Sequence, residues 1–358
     1  MAYTTINKSG DYFNTVTYTG NTTAPRTISG VGFQPDWNWT KNRSYAQNHW
    51  LADAVRGSTK IIRSDGTNVE ITAPSNGSIS SFNADGYVLQ AGSSADENYN
   101  RENDNYVAWN WKANGAGSTN TDGSITTTVS ANTTAGFSIV KFTGNGSTSA
   151  TMGHGLGAIP KIIFQKRLDS SSAGDWQVSF KDVGRGYLNW GNALQLNNSS
   201  SGNISYDANT TAYYKYGTTS DVSAVNVNGA SYIAYCFADV TGYSKFGRYD
   251  GNGNADGNFV YTGFKPSWIM VKRYDSAGEW LIYDNKRDPH NLVDTRLEAQ
   301  DNFADSTSST KSLDFLSNGF KMRGVDNAQS NWDGNTYIYM AFAESPLVGS
   351  NNVPCTAR

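Results

Sequence analysis

Cysteine, proline and charge are all scarce in this chain of 358 residues, which contains 2 Cys, 8 Pro and only 16% charged residues. The cysteines, Cys236 and Cys355, lie far apart in sequence, which argues against a disulfide scaffold or a zinc-binding cysteine cluster. The net charge of −3 argues against a protein that holds nucleic acid electrostatically. We therefore expect no nucleic-acid partner.

Long apolar runs are also missing. The longest, at Tyr232–Phe237 and Tyr337–Ala343, are far shorter than the roughly 20 residues that a membrane-spanning helix needs. The opening sequence MAYTTINKSGDYF contains neither the basic segment nor the apolar stretch of a secretory signal. We therefore expect no membrane partner and no secretory leader.

Glycine, asparagine and aromatic residues are instead abundant, with 36 Gly, 38 Asn and 13% aromatic residues. Glycine and asparagine favour turns because they tolerate a positive φ. Aromatic residues and threonine favour half-buried strands. The composition predicts a turn-rich, all-β fold, and the length indicates two or three domains.

The chain repeats itself three times. Each copy opens with an aromatic residue two positions before a Gly-Asn pair and closes with an apolar run led by tyrosine. The openings are Tyr18-Thr19-Gly20-Asn21, Phe142-Thr143-Gly144-Asn145 and Tyr249-Asp250-Gly251-Asn252. The closings are Tyr106-Val107-Ala108-Trp109, Tyr232-Ile233-Ala234-Tyr235 and Tyr337-Ile338-Tyr339-Met340. From the opening glycine to the closing tyrosine the separations are 86, 88 and 86 residues, a spacing that unrelated motifs would not keep.

Further matches lie inside the copies. Gly32-Phe33-x-Pro35-x-Trp37 in the first copy matches Gly263-Phe264-x-Pro266-x-Trp268 in the third. Each copy then carries a lysine, a tryptophan and an Asp-x-x-Arg pair, in that order. These are Lys41, Trp50, Asp53 and Arg56, then Lys166, Trp176, Asp182 and Arg185, then Lys272, Trp280, Asp284 and Arg287. Asp85-Gly86-Tyr87 matches Asn318-Gly319-Phe320, and the second copy lacks this element.

These copies predict three tandem antiparallel β-sandwich domains, of sandwich or jelly-roll type, at residues 1–112, 124–241 and 242–346. The closing strand of each copy is apolar at nearly every position, so we expect it to be central and buried on both faces. Residues 113–123 have no aromatic and almost no apolar content, which predicts a flexible linker. We expect residues 347–358 to be a C-terminal tail.

The Asp-x-x-Arg pairs could be acid–base groups or ion pairs that lock a turn. Because such a pair occurs in every copy, we favour the structural interpretation for all three, and for the repeated lysines. The pairs are Asp53 with Arg56, Asp182 with Arg185, and Asp284 with Arg287. The three histidines, His49, His154 and His290, fall at different places in the copies, and no catalytic set or nucleotide-binding motif can be assembled. We therefore predict no catalytic residue.

A calcium loop is suggested by Asp250-x-Asn252-x-Asn254-x-Asp256, where oxygen ligands alternate. Glycine stands at the eighth place instead of the sixth and Tyr261 at the twelfth instead of glutamate, so we favour a polar turn and predict no metal or other cofactor. Exposed aromatic residues could instead stack on sugar rings. The candidates in Asn/Gly/Ser-rich stretches are Trp190, Trp332, Tyr213, Tyr214 and Tyr216, and the alternative is that they fill cores or protein interfaces.

Seven phrases of the sequence resemble one repeat family found in virion proteins of marine tailed bacteriophages, including phages of cyanobacteria. The phrases are MAYTTINKSGDYFNT, GVGFQPDW, FTGNGSTSATMGHGLGAIPK, YIAYCFADVTGYSKFG, FVYTGFKPSWIMVKR, DFLSNGFKMR and YIYMAFAESP, and the resemblance spans roughly residues 1–346. It implies a concanavalin-like or jelly-roll sandwich and a component of a virion assembled in the bacterial cytoplasm. It supplies no catalytic residues, and the second copy departs from the pattern at Pro160.

Three functions remain open. The leading one is a non-enzymatic virion structural protein, either an exposed capsid decoration or a tail-associated component. Its partners would be other capsid or tail subunits, and it would form a homo-oligomer on the particle. The alternative is a receptor-binding, lectin-like tail-fibre module that recognises host surface glycans. A glycan depolymerase is the third, but such an enzyme needs paired carboxylates in a groove, and the sequence singles out no such pair.

Overall fold

The computed structural model describes residues 4–93, 98–172, 174–181, 192–195, 201–203, 205–216, 225–325 and 329–344, with the backbone alone at 192–195, 201–203, 205–206 and 214–216. The predicted fold class is confirmed. The described residues form an all-β structure of six sheets, in which neighbouring strands pair antiparallel and two sheets belong to each copy. We call the copies repeat 1, repeat 2 and repeat 3. The C-terminal tail predicted at 347–358 lies outside the described residues.

Repeat 1 is a sandwich of a large and a small sheet. Its described strands are β1 (Phe13–Thr19), β2 (Arg26–Ser29), β3 (Trp37–Asn42), β4 (Trp50–Asp53), β5 (Lys60–Ile62), β6 (Ile71–Thr72), β7 (Ser78–Asn83), β8 (Gly86–Gln90) and β9 (Asn105–Trp111). The large sheet has the order β1-β9-β3-β4-β5-β6, and the small sheet has the order β2-β8-β7. A 3₁₀ turn at Ser9–Asp11 precedes β1.

Repeat 2 keeps this plan and extends the large sheet. Its described strands are β10 (Ser118–Asn120), β11 (Thr127–Asn132), β12 (Phe137–Thr143), β13 (Met152–Gly153), β14 (Ile162–Arg167), β15 (Gln177–Phe180), β16 (Asn192–Gln195), β17 (Ser201–Asn203), β18 (Ser205–Ala208), β19 (Ala212–Tyr216) and β20 (Ser231–Phe237). The large sheet has the order β10-β11-β12-β20-β14-β15-β16-β17, and the small sheet β13-β19-β18.

Repeat 3 returns to the plan of repeat 1. Its described strands are β21 (Ser244–Asp250), β22 (Phe259–Tyr261), β23 (Pro266–Arg273), β24 (Trp280–Asp284), β25 (Thr295–Glu298), β26 (Ser306–Thr307), β27 (Leu313–Leu316), β28 (Gly319–Met322) and β29 (Thr336–Ala343). The large sheet is β21-β29-β23-β24-β25-β26 and the small sheet β22-β28-β27. A 3₁₀ turn at Ser309–Lys311 precedes β27.

The closing strand of each repeat, β9, β20 or β29, lies inside its large sheet and is buried on both faces, as predicted. In β20, Tyr235 and Phe237 point to one hydrophobic cluster while Ala234 and Cys236 point to another. This alternation follows from the two-residue period of a strand. One face packs on the small sheet of the same repeat, and the other faces the neighbouring repeats.

In each large sheet, one face points away from the small sheet of its own repeat. The side chains on these three faces meet in one aromatic core. Every pair of repeats makes ring contacts there. Trp37 of repeat 1 stacks on Tyr235 of repeat 2 with ring centroids 4.3 Å apart. Trp111 and Trp268 join repeats 1 and 3 at 5.8 Å, and Phe237 and Phe342 join repeats 2 and 3 at 6.0 Å. The three sandwiches are therefore packed against one another around a shared core.

The segment 113–123 differs from the flexible linker that we expected. Residues 118–120 form β10 and pair with β11. Ala113 is buried in the shared core, and the carboxylate of Asp36 accepts the backbone N–H of Ala113 at 2.7 Å and of Gly115 at 3.1 Å. The low apolar content of this segment did not predict its order, because hydrogen bonds of the backbone fix a polar segment that has few side chains to bury.

The hairpin that repeat 2 seemed to lack is present with a different sequence. Strands β18 and β19 pair, and Tyr213 of β19 lies opposite Met152 of β13. Tyr87 in repeat 1 and Phe320 in repeat 3 occupy the same place, opposite Ile28 and Val260. Alanine at 212 stands where the other repeats have glycine, so the glycine-aromatic pattern does not identify the hairpin.

Candidate functional site

Asp53, at the end of β4, and Arg56, in the following turn, form a fully buried ion pair. Arg56 Nε lies 2.5 Å from Asp53 Oδ2, and both side chains are 0% exposed. Asp53 Oδ1 accepts the backbone N–H of Val55 at 3.0 Å and of Arg56 at 2.8 Å. Arg56 Nη1 reaches Glu70 Oε2 at 3.2 Å, and Nη2 donates to the carbonyl of Leu51 at 3.1 Å. The pair locks the turn and satisfies its own charges.

A tyrosine of repeat 2 completes this network. The hydroxyl of Tyr235 donates to Asp53 Oδ2 at 2.7 Å. Burial raises the pKa of Tyr235 well above its ordinary value, so the hydroxyl stays protonated. Burial is the largest single influence and lowers the pKa of Arg56, but the interactions with Asp53, Tyr235 and Glu70 together outweigh it and raise this pKa, so the guanidinium stays charged. We call this contact the 1–2 seam.

Asp284 and Arg287 form the same network in repeat 3. Arg287 Nε lies 2.6 Å from Asp284 Oδ2, both side chains are 0% exposed, and Arg287 Nη1 reaches Asp305 Oδ1 at 2.9 Å. The neighbouring donor is now Trp109 of repeat 1, whose Nε1 donates to Asp284 Oδ2 at 3.0 Å. Arg43 of repeat 1 also pairs with Asp305 at 2.7 Å. We call this contact the 1–3 seam.

Repeat 2 has no carboxylate at the position equivalent to Asp53 and Asp284. Asp53 and Asp284 lie opposite Trp37 and Trp268, and the residue at that register in repeat 2, opposite Ile162, is Phe180. Phe180 belongs to the shared core, as does Met340, which occupies in β29 the place of Trp109 and Tyr235. We use the name 2–3 seam for this pair of equivalent positions, Phe180 in repeat 2 and Met340 in repeat 3.

Asp182 and Arg185, the pair that we predicted for repeat 2, both lie outside the described residues. An ion pair between Asp182 and Arg185 therefore stays a prediction. The register nevertheless differs from the alignment that the sequence suggested, because Phe180 and not Asp182 stands at the place of Asp53. The 2–3 seam thus has an aromatic ring where the other two seams have a carboxylate.

The register also corrects the alignment of the tryptophans. Counted from the ends of β4, β15 and β24, the residues equivalent to Trp176 and Trp280 are not Trp50 but His49. His49 Nδ1 accepts the indole N–H of Trp39 at 2.8 Å. Burial, together with the nearby charge of Lys41, lowers the pKa of His49 well below its ordinary value, so this histidine is neutral.

The three repeated lysines are buried at the edge of the shared core. Burial is the main cause that lowers the pKa of Lys41 to about 8 and of Lys166 and Lys272 to about 7. Lys166 donates to the carbonyl of Gly66, in repeat 1, at 3.1 Å, and lies 5.6 Å from the ring centroid of Trp176. At least this lysine therefore joins two repeats.

Each repeat has an outer corner built around its opening Gly-Asn pair. In repeat 3, Asn331 Oδ1 accepts the backbone N–H of Asn252 at 3.2 Å, and the hydroxyl of Tyr337 accepts the backbone N–H of Trp332 at 2.9 Å. A Cβ on Gly251 would stand 2.2 Å from the carbonyl oxygen of Trp332, so only glycine fits there. The corresponding residues are Gly20, Asn21, Asn100, Arg101 and Tyr106 in repeat 1, and Gly144, Asn145, Asn226, Val227 and Tyr232 in repeat 2.

The calcium-like sequence is part of this corner. Asn252 Oδ1 accepts the backbone N–H of Asn254 at 3.1 Å, and Asp256 pairs with Lys321. These contacts are those of a polar turn. Within the described ranges, no group of three or more His, Cys, Asp or Glu side chains could hold a metal ion.

Of the predicted sugar-stacking residues, the structure describes the side chains of Trp332 and Tyr213. Trp332 is 43% exposed, but Tyr213 is fully buried and Tyr213 OH lies 3.3 Å from Gln165 Oε1 in the core of repeat 2. Trp190 lies outside the described residues, as do the side chains of Tyr214 and Tyr216. Tyr213 therefore cannot stack on a sugar in this structure.

An open cleft of about 370 Å³ is a site that the sequence did not reveal. Loop and strand residues of repeat 1 and one residue of repeat 3 line it. The lining residues are Tyr45, Ala46, Gln47, Asn48, Trp50, Arg63, Ile71, Pro74, Ser75, Asn76, Asn98 and Asn302. The volume falls within the range of roughly 300–1,000 Å³ typical of small-molecule sites. The fold of repeat 1 brings most of these residues together, and the packing of repeat 3 on repeat 1 adds Asn302.

The wall of this cleft carries two buried donors that no described residue satisfies, Trp50 Nε1 and Arg63 Nε. The guanidinium carbon of Arg63 lies 4.9 Å from the ring centroid of Trp50, a cation–π contact between neighbouring strands. Tyr45, which is 50% exposed, holds the guanidinium of Arg101 at 4.5 Å. The cleft thus combines aromatic surface, amide groups and one cation.

Comparisons with known proteins give one match. A family model described as Domain of unknown function (DUF7483) matches residues 8–346. No curated protein and no solved structure matches the chain. Among the described residues, no helix is both long and apolar enough to cross a membrane.

Proposed function

The chain belongs to the DUF7483 family, and we propose that it is a non-enzymatic structural protein of a bacteriophage virion. In this proposal it is an exposed capsid decoration or a tail-associated component that acts through protein–protein contacts. It assembles in the bacterial cytoplasm and takes its place beside other capsid or tail subunits as a homo-oligomer.

The observation that carries this proposal is that the buried Asp–Arg pairs bind residues of neighbouring repeats. The side chains of Asp53, Arg56, Asp284 and Arg287 are 0% exposed, and Tyr235 and Trp109 of neighbouring repeats donate to the two aspartates. Groups that are sealed in this way join three sandwiches and are closed to a substrate. This is the arrangement expected of a building element, because a catalytic acid or base must reach the reacting group.

The exposed aromatic residues support contacts with other proteins. Phe259 and Tyr261 are 47% and 61% exposed on the outer face of β22. The same register positions hold Thr27 and Ser29 in repeat 1 and Thr151 and Gly153 in repeat 2. Aromatic residues are enriched at protein interfaces, and repeated weak contacts on a symmetric particle reinforce one another through effective concentration.

Quantitative mass spectrometry of purified particles tests the proposal. The chain should keep a fixed ratio to the major capsid protein across the fractions of a density gradient. If the chain is present in the lysate but absent from the particles, the proposal is wrong.

A second function is favoured by the cleft that Tyr45, Trp50 and Arg63 help to line. It is the recognition of host surface glycans by a receptor-binding, lectin-like module. A glycan array probed with the full chain tests this function, and silence across acidic and neutral glycans would contradict it.

A further inference from the structure

We propose that the cleft between repeats 1 and 3 binds an acidic saccharide unit, with Arg63 holding its carboxylate and Tyr45 supporting its ring. The inference rests on the second candidate function, glycan recognition, and assigns that function a place and a ligand chemistry. It does not depend on incorporation into a particle.

The hydrogen-bonding groups of the cleft suit a polyol. The side-chain amides of Gln47, Asn48 and Asn302 make no hydrogen bond to any described residue, so their donors and acceptors are available to a ligand. An amide offers two donors and one acceptor oxygen, which matches sugar hydroxyls that both donate and accept. The lining contains no carboxylate and only one cation.

Arg63 makes few hydrogen bonds within the described part of the chain. Arg63 Nε is buried without a partner in the described part of the chain, and Nη1 contacts Asn68 Oδ1 only at 3.5 Å. A guanidinium carries five donors in a planar fork that matches a carboxylate. A ligand carboxylate at this wall would offer Nη1, whose contact with Asn68 is long and exposed, a stronger partner.

The aromatic surface suits the ring of a sugar. Half of Tyr45 is exposed, and Arg101 at 4.5 Å holds the ring in place. Trp50 contributes the apolar floor under Arg63, because it is only 3% exposed and its ring faces the guanidinium at 4.9 Å. Aromatic rings with a polar rim bury ligand surface while adjacent amides fix its orientation.

The other repeats do not share this chemistry. The register places Gln177 of repeat 2 and Leu281 of repeat 3 at the position of Trp50. Glu298 stands opposite Leu281, where Arg63 would fall in repeat 1, and it pairs with Arg296 at 3.3 Å. An anionic ligand would meet a carboxylate in repeat 3, so we expect one site per chain.

Isothermal titration calorimetry with the full chain tests the assignment. The probes are tri-galacturonic acid and its full methyl ester, which keeps the rings and removes the charge. We expect one site per chain, with the ester bound at least about tenfold more weakly than the acid, because a charge-assisted hydrogen bond is lost. No heat from the acid at millimolar concentration would overturn the assignment.

Two variants locate the binding. Arg63→Gln should remove the preference for the acid over the ester, and Tyr45→Ala should weaken both probes by about tenfold. Trp332→Ala, an exposed aromatic residue outside the cleft lining, is the matched control and should change nothing. Thermal unfolding of each variant verifies that the fold is kept.

The outcomes separate the cleft from the broader function. If the acid binds but Trp332→Ala abolishes binding while Tyr45→Ala does not, glycan recognition stands and the cleft assignment is wrong. If binding persists in Arg63→Gln with the same preference for the acid, the role of Arg63 is wrong. Loss of the preference for the acid in Arg63→Gln and weaker binding of both probes in Tyr45→Ala, with Trp332→Ala unchanged, supports the proposal.

Discussion

At the outer corner of every repeat, a tyrosine hydroxyl accepts the same backbone N–H at 2.9 Å, and one asparagine accepts the N–H of another. At the seams, the equivalent positions carry different chemistry. Tyr235 and Trp109 donate to buried aspartates at the 1–2 and 1–3 seams, whereas the 2–3 seam has Met340 and Phe180 at these places.

The difference reflects what each contact must satisfy. A corner lies within one repeat, so each copy needs all of its residues to close its own turn. A seam joins two repeats, and only the complementarity of its two sides matters. A carboxylate needs a donor, and an apolar side chain needs none, because unpaired polar groups are costly when buried. Seams can therefore differ as long as both sides change together.

The largest expected effect is the loss of a seam aspartate. Asp284→Ala leaves the guanidinium of Arg287 buried beside only one carboxylate, Asp305. Removing one partner of a buried ion pair costs about 3–5 kcal/mol, which equilibrium unfolding in urea would measure. Asp11→Ala, at an exposed pair with Lys8, is the control and should cost less than about 1 kcal/mol. Equal effects would show that burial does not matter at the seam.

The next effect tests whether the corners are alike. Gly251→Ala places a Cβ 2.2 Å from the carbonyl oxygen of Trp332, and Gly20→Ala places one 1.9 Å from that of Arg101. We expect each change to cost about 3 kcal/mol, the upper end of the overpacking range, measured by thermal or urea unfolding. Gly10→Ala has nothing nearer than 4.0 Å and should be almost neutral. A large difference between the two corner variants would contradict their equivalence.

The buried lysines predict a dependence of stability on pH. Burial lowers the pKa of Lys166 and Lys272 to about 7, whereas a lysine in the unfolded chain has a pKa of about 10.4. Between these values the unfolded chain binds more protons, so stability rises with pH. Each lysine should contribute about 2 kcal/mol between about pH 7 and pH 9.

Lys272→Met tests this dependence through the slope of unfolding free energy against pH. The slope should fall in the variant, because the group that titrates is gone. Lys265→Met, which removes a lysine with an exposed side chain paired with Glu344, is the matched control for replacing a lysine with methionine. An unchanged slope in Lys272→Met would mean that Lys272 keeps its ordinary pKa in the folded protein.

A smaller loss of stability is expected when only the hydrogen-bond donor of the 1–2 seam is removed. Tyr235→Phe removes the hydroxyl that lies 2.7 Å from Asp53 Oδ2 and leaves the ion pair with Arg56 in place. The expected cost is about 1.5 kcal/mol, the lower end for a hydrogen bond to a charged group, measured by urea unfolding. Tyr243→Phe is the control, because its hydroxyl is buried with no partner in the described structure and its removal should not destabilise.

Much of the fold was predictable because repetition and alternation are local signals. The buried closing strands follow from runs such as 337–343, and the glycines of the corners mark the openings of the repeats. The seams were not predictable in detail. The sequence aligns Asp182 with Asp53 and Trp50 with Trp176, but strand register puts Phe180 and His49 at those places. Insertions of one or two residues before a turn change the register without disturbing the motif.

The cleft was invisible for a related reason. Tyr45 and Asn302 come from different repeats, and no spacing in the sequence connects them. The resemblance to other sequences likewise concerns the shared pattern, whereas the cleft lies where repeat 1 departs from the other two. Trp50 and Arg63 have no counterpart of the same chemistry in repeat 3, where Leu281 and Glu298 stand.

The smallest effect belongs to the apolar seam and completes the comparison. Met340→Leu keeps an apolar side chain of similar volume in the shared core, where Phe180 needs no donor, so the cost should be below about 1.5 kcal/mol. Tyr235→Leu, the corresponding change at the 1–2 seam, should cost more than twice as much, because it removes both the donor to Asp53 and the ring stacked on Trp37. Urea unfolding of the two variants measures the contrast. If Met340→Leu were as damaging as Tyr235→Leu, the 2–3 seam would contain a requirement beyond apolar packing, and the rule that only complementary sides matter would not hold.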